Sequence, residues 1–287
     1  MSKFFFKIIF NALSSLPLSV LHRLGALLGR LTYALSGQYA ARMRENLRQA
    51  GFSPDDKPGL LSETIAEAGK GMAELPWIWA RSYGEVLSRV LECRGMHYIE
   101  AAQARGEGII FLTPHLGCFE ISSLYAAQRL PITVLYRPPR LGWLEGVMRS
   151  GRERGQVRLA KADVSGVRLL YKALRRGEAI GLLPDQVPSQ GEGEWADFFG
   201  RPAYTMTLAG RLAQASGAAV LLASAERQGQ GYVIRIEPLP LDFSLSVPQQ
   251  INAALERLIR ACPAQYLWSY NRYKVPRGAL PPDVVRE

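Results

Sequence analysis

The chain has 287 residues, 48% of them hydrophobic and 21% charged, with a formal net charge of +10 at pH 7. This is globular composition with apolar material for one large core, or at most two domains. Its three cysteines, Cys93, Cys118 and Cys262, show no C-x-x-C spacing, which excludes a disulfide framework and a zinc-finger type of site and fits a reducing compartment.

The basic excess is clustered. The first 50 residues carry seven basic side chains against Glu45, and the stretch from Arg137 to Lys161 carries seven against Glu145 and Glu153. Such patches attract polyanions. Nucleic acid is a poor fit, because there is no zinc-finger, RRM or KH signature and the arginines are not interleaved with stacking aromatics.

The N-terminal stretch is the most apolar part of the chain. Its longest uncharged run, Ile8 to Leu21, is 14 residues and contains Pro17, short of the ~20 that a bilayer crossing needs. After Pro17 the spacing predicts a helix with Val20, Leu24, Leu27, Leu28, Leu31 and Leu35 on one face and Arg23 and Arg30 on another. Such a basic amphipathic helix suits the surface of an anionic membrane. The plainer alternative is a helix packed on its own domain with its arginines in water. No small-x-small cleavage site follows the apolar run, which argues against a signal peptide. "GALLG" (25–29) has the small-xxx-small spacing of close helix contacts. Residues 1–36 are therefore expected to form a membrane-associating helical segment, hydrophobic then amphipathic, ahead of one domain over 37–287.

Residues 38–90 read as polar-faced helices ending in a Trp-rich turn. Beyond them short apolar runs predict buried strands at 108–112, 132–136, 179–183, 219–224 and 232–236, alternating with helical patterns near 118–128, 142–154, 164–176 and 205–216. Strands alternating with helices predict an α/β fold: a single three-layer α/β/α domain with a mostly parallel or mixed central sheet. In such sheets the chemistry collects at the carboxyl ends of the strands. Two segments sit at such ends: "TPHLGCFE" (113–120) after "GIIFL", and "PDQ" (184–186) after "AIGLL".

His115 then falls on a turn and Glu120 near the start of the next helix. A carboxylate on one imidazole nitrogen fixes the tautomer and leaves the other nitrogen as a general base toward a hydroxyl, an amine or water. The same residues also suit a structural role, Glu120 favouring the helix dipole and His115 capping the turn. Cys118 is expected to be a buried thiol rather than a nucleophile. The absence of G-x-S-x-G argues against a serine hydrolase, and His22 and His97 have no visible ligand partners, so no metal site is expected.

At "HLGCFE" the sequence resembles the H-x-x-x-x-[DE] motif of glycerolipid acyltransferases, above all the bacterial lipid A late acyltransferases. The resemblance extends through "LYRPPR", "SGRERG", "LLPDQ", "DFFGRPAYTMTLAGRLAQASGAAVLL" and "QYLWSYNRYKVP", in order over most of the chain. It implies transfer of a fatty acyl group from an acyl-carrier-protein thioester to a hydroxyl of a lipid A precursor, at the cytoplasmic face of the inner membrane, with no metal or cofactor. The implied partners are acyl carrier protein, the lipid A precursor and the anionic inner-membrane surface. His115 would be the general base and Glu120 its orienting partner. Arg152 would hold an anionic group such as a lipid phosphate, and Asp185 matches a functional position of unstated role. Acylation of another glycolipid or an aminolipid, and a non-catalytic lipid-binding relative, are the alternatives. The sequence departs from the family pattern at Cys118-Phe119, often Asn-Trp, and at Tyr270-Asn271, often His-Arg.

Overall fold

The computed structural model describes residues 3–53, 57–139, 141–280 and 282–285, and within them the side chains from residue 8 to residue 283. Helices α1 (Lys3–Ser15), α2 (Leu18–Leu35), α3 (Gly37–Gln49), α4 (Leu60–Ala73), α5 (Leu75–Ala80) and α6 (Tyr83–Leu87) come first. Then follow β1 (Val90–Arg94), α7 (Met96–Ala104), β2 (Ile109–Leu112), α8 (Phe119–Ala126), β3 (Ile132–Tyr136), α9 (Gly142–Arg152), β4 (Val157–Lys161), α10 (Val164–Arg175) and β5 (Ala179–Leu182). A hairpin of β6 (Gly193–Phe198) and β7 (Arg201–Met206) interrupts the alternation, which resumes with α11 (Leu208–Ser216), β8 (Ala219–Gln228), β9 (Gly231–Pro238), α12 (Val247–Ala261) and α13 (Pro282–Val285).

The main sheet has seven strands in the order β1-β9-β8-β2-β5-β3-β4. Strands β8, β2, β5, β3 and β4 are parallel; β9 returns antiparallel to β8, and β1 lies parallel to β9. The sheet is thus mixed and mostly parallel, as expected. Every residue of β2 and of β5 is buried, because a central parallel strand is covered on both faces and reads as a continuous apolar run.

Alternate side chains of each strand enter opposite layers. Ile110, Leu112, Ile180 and Leu222 pack against α3, α10, α11 and α12, whereas Ile109, Phe111, Leu221 and Ala223 pack against α2, α5, α7 and α8. This is the three-layer α/β/α arrangement. The edge strands were missed by sequence because charges interrupt them: β1 reads VLECR and β4 reads VRLAK.

Helix α2 joins the core through Leu18 and Leu21. The "GALLG" spacing is used inside the chain: a Cβ on Gly69 of α4 would stand 1.9 Å from the Gly25 carbonyl oxygen, and one on Gly29 would stand 2.3 Å from that of Ile65. The glycines let two backbones meet where any side chain would hold them apart. With Leu18, Leu21, His22, Gly25 and Gly29 turned inward, the outer face of α2 carries Leu24, Leu27, Leu28, Leu31 and Leu35 exposed, with Arg23 and Arg30 beside them. Among the described residues no helix is long and apolar enough to cross a membrane.

Candidate active site

His115 and Asp185 each lie three residues past paired strand ends, since Leu112 of β2 stands opposite Leu182 of β5. The register therefore brings together two residues 70 apart in sequence: His115 Nδ1 is 2.8 Å from Asp185 Oδ1. Asp185 Oδ2 also accepts the backbone N–H of His115 at 2.9 Å. The carboxylate is buried, and burial pushes its pKa up; the His115 imidazole, its two hydrogen bonds and the charge of Arg272 outweigh that and lower it. An ionised Asp185 accepts Nδ1–H, which leaves Nε2 as the basic nitrogen; the Gln186 amide nitrogen lies 3.2 Å from it.

The turn that carries His115 is fixed on three sides. The His115 carbonyl accepts Leu267 N–H at 3.0 Å, Gly117 N–H reaches the Gln265 carbonyl at 3.0 Å and Cys118 N–H the Ala225 carbonyl at 2.7 Å. Gly117 has φ +61°, and a Cβ there would stand 2.0 Å from the Ala225 oxygen, so only glycine fits. The C-terminal block that resembled the family supplies two of these braces, Leu267 and Gln265, and β8 supplies Ala225. Tyr270, one of its departures, accepts Val187 N–H at 3.0 Å just beyond Gln186. Arg272 is buried and donates to the Tyr204 carbonyl, Thr205 Oγ1 and Asn252 Oδ1.

Glu120 does not meet the His115 ring. Its carboxylate is taken by Arg152, through Nε at 2.8 Å and through Nη2, and by Trp79 Nε1 at 3.2 Å. The left-handed Gly117 turns the chain before α8 starts, so Glu120 in the first turn faces α9 and α5 while Asp185 occupies the position expected of it. The carboxylate hydrogen-bonded to the His115 ring is that of Asp185, and the one expected there, Glu120, is bonded to Arg152.

"SGRERG" explains why Arg152, rather than Arg149 or Arg154, enters the site. A Cβ on Gly151 would stand 2.4 Å from Trp79 Cβ, so the glycine lets α9 close on α5. Arg154 donates to the Ile78 and Arg81 carbonyls, both at 2.6 Å, and Arg149 pairs with Glu153 on the surface. Arg152 lies over the Trp79 ring at 5.6 Å. Its Nη1 donates to the Met148 sulfur, at 3.2 Å. Its charge is thus matched by Glu120.

His115, Glu120, Arg152 and Gln186 line one cavity of about 850 Å³, within the size range of small-molecule sites. Its lining includes Phe111, Val134, Ala223, Ile234 and Ile236 of the sheet and Tyr125 and Ala126 of α8, which gives the cavity an apolar part. Arg137, Arg168 and Arg211 also line the cavity, from the end of β3 and the first turns of α10 and α11, and all three are exposed. The Cys118 thiol is buried beside α8, and burial with the nearby Glu74 charge raises its pKa well above the ordinary thiol value, so it is held as an inert SH. Among the described residues no group of three or more His, Cys, Asp or Glu is arranged to hold a metal ion. Sequence reading missed Trp79 and Arg272, which act through partners far along the chain, and gave no role to Gln186 although "PDQ" was singled out.

The sequence model for bacterial lipid A biosynthesis acyltransferases matches residues 1–275. The chain is 27% identical over 282 residues to the lipid A biosynthesis lauroyltransferase of Escherichia coli (strain K12), covering 93% of this chain and 89% of that protein. It is 26% identical over 272 residues to the lipid A biosynthesis palmitoleoyltransferase of the same organism, covering 90% and 86%. It is 25% identical over 206 residues to the phosphatidylinositol mannoside acyltransferase of Mycobacterium tuberculosis (strain ATCC 25618 / H37Rv), covering 69% and 64%.

Proposed function

This chain belongs to the bacterial lipid A biosynthesis acyltransferase family and is an acyltransferase of lipid A synthesis, and from that premise we propose that it moves a fatty acyl group from an acyl-carrier-protein thioester to a hydroxyl of a lipid A precursor. The observation that carries the reading is the His115–Asp185 pair at 2.8 Å, with His115 and the apolar residues of the sheet and α8 lining one cavity.

In this reading His115 Nε2 takes the proton of the acceptor hydroxyl as its oxygen attacks the thioester carbonyl. Asp185 holds the Nδ1–H tautomer and balances the imidazolium that forms. The Gln186 amide marks where the hydroxyl docks, since the incoming O–H replaces that contact at Nε2. The carbonyl oxygen gains negative charge in the tetrahedral intermediate. Arg152 keeps one Nη1 N–H beyond its pair with Glu120 and its contact with the Met148 sulfur, and that N–H is the donor offered to it. Collapse expels the thiolate of the donor, which recovers the proton from His115.

The acyl chain occupies the apolar part of the cavity, against Phe111, Val134, Ile234 and Ile236, where burial contributes about 0.8 kcal/mol per methylene. Arg137, Arg168 and Arg211 are better placed than Arg152 for an anionic part of either substrate, because they line the cavity and are exposed. The leucine face of α2 lies on the cytoplasmic face of the inner membrane, with Arg23 and Arg30 among the headgroups. The N-terminal 1–36 segment is then an interfacial anchor to the acyltransferase domain over 37–287.

A test incubates the purified chain with lauroyl-acyl-carrier-protein and a lipid A precursor bearing free 3-hydroxyacyl chains. The precursor should gain the mass of one lauroyl group in a mass spectrum, and His115→Ala should abolish the gain. Full activity in His115→Ala would sink the mechanism. The similarity to a phosphatidylinositol mannoside acyltransferase favours one second reading, acylation of a different glycolipid, which the same assay detects when that lipid replaces the precursor.

A further inference from the structure

A second buried network, outside the His115–Asp185 pair, runs from α2 to the turn that carries His115. Glu74, at the junction of α4 and α5, is 1% exposed and accepts from Arg227 at 2.6 Å through Nη2 and at 3.0 Å through Nε. Arg227 donates the same Nη2 to the Gly117 carbonyl at 2.9 Å and Nη1 to Glu67 at 3.3 Å. Its backbone is clasped by the Gln265 side chain, at 2.8 Å to its N–H and 2.9 Å to its carbonyl. The Gln265 main chain in turn accepts the Gly117 N–H. Both polar groups of the Gly117 peptide therefore depend on Arg227 and the residue that clasps it.

The other end of the network is α2. His22, on the buried face of that helix, places Nε2 2.9 Å from Glu74 Oε2, which also accepts from Tyr232 at 3.0 Å. Beside it Gly25 and Gly29 seat α2 directly on α4. A shift of α2 thus reaches the turn through His22, Glu74 and Arg227, because a buried ion pair cannot lose a partner without leaving an uncompensated charge.

We infer that the Glu74–Arg227 pair is a positioning device for the catalytic turn and that His22 ties this device to α2, so that the leucine-faced helix and the His115 turn move as one unit. The assignment rests on the reading of His115 as the base. Glu74, Arg227 and His22 are positioning residues; none of them lines the cavity.

The test measures steady-state kinetics with lauroyl-acyl-carrier-protein and the lipid A precursor, alongside hydrogen exchange of the peptide spanning 113–120. Arg227→Lys keeps the charge but loses the fork. It should lower kcat at least tenfold with KM for the thioester within about twofold, and the 113–120 peptide should exchange faster. His22→Leu should shift kcat and exchange in the same directions by at least threefold, while His22→Gln, which keeps a donor toward Glu74, should stay within twofold of the parent. If Arg227→Lys fails to fold, the two His22 variants decide the matter. Parental kcat in a folded Arg227→Lys or His22→Leu overturns the inference, as does a lowered kcat with unchanged exchange. His115→Ala in the same assay separates the two claims. If it is inactive while the network variants behave as the parent, only the coupling fails; if it is active, the reading of the site fails and the coupling with it.

Discussion

Asp185 holds His115 twice, by the ring nitrogen at 2.8 Å and by the backbone N–H at 2.9 Å. One buried carboxylate thus fixes both the tautomer of the imidazole and the path of the chain that presents it. Glu120, five residues from His115, serves a different partner.

Glu120→Gln leaves the half-buried Arg152 guanidinium, its side chain 22% exposed, without its carboxylate. Losing the charged partner of such a hydrogen-bonded group costs about 1–3 kcal/mol, which chemical denaturation should register. The double variant Glu120→Gln/Arg152→Met should regain much of that stability, yet acyl transfer should stay low, because the Nη1 donor is gone.

Gly69→Ala places a Cβ 1.9 Å from the Gly25 carbonyl oxygen. The clash is with backbone, so α2 and α4 must separate. The expected loss is about 1–3 kcal/mol, seen as a lower Tm, and activity should fall with it if α2 is tied to the catalytic turn.

Leu27 and Leu28 are 61% and 56% exposed on α2. A fully buried leucine contributes about 1.5–3 kcal/mol. Leu27→Asp/Leu28→Asp should therefore weaken sedimentation with anionic vesicles by more than tenfold and leave the melting curve nearly unchanged. Equal vesicle binding by parent and variant would remove the membrane role of this face.

Glu74 gives an acid-stability signature. Burial raises its pKa, but Arg227 and His22 outweigh that and hold it at about 2, against 4.5 for a free carboxyl. A folded-state pKa below the unfolded one means the stabilisation is whole above pH 4.5 and is lost as pH falls toward 2. The difference is on the order of 3 kcal/mol. Urea unfolding between those limits should show a steeper loss for the parent than for Glu74→Gln.

Most of the sheet could be read from sequence because its central strands are unbroken apolar runs, as in "IIFL" and "AIGL". The edges β1 and β4 could not, since VLECR and VRLAK alternate with charge. The β6–β7 hairpin was also missed; it turns on Phe199 and Gly200, both at positive φ, inside an aromatic stretch that suggested no strand. His115 could be found from its motif, but its partner could not. Sequence proximity pointed to Glu120, while the pairing of β2 with β5 delivers Asp185 from 70 residues away. Arg227 was invisible for the same reason, since nothing local in "AERQ" says that its side chain crosses to Glu74 and Gly117.

The most direct test of the account is the rate of acyl transfer by Asp185→Asn. Asparagine keeps the shape but loses the charge that fixes Nδ1–H and balances the imidazolium. General-base catalysis of this kind contributes about 10²–10⁴-fold, so kcat should fall by at least a hundredfold in a folded protein with KM little changed. A folded Asp185→Asn that turns over within threefold of the parent would contradict the assignment of Asp185 and His115 as the catalytic pair.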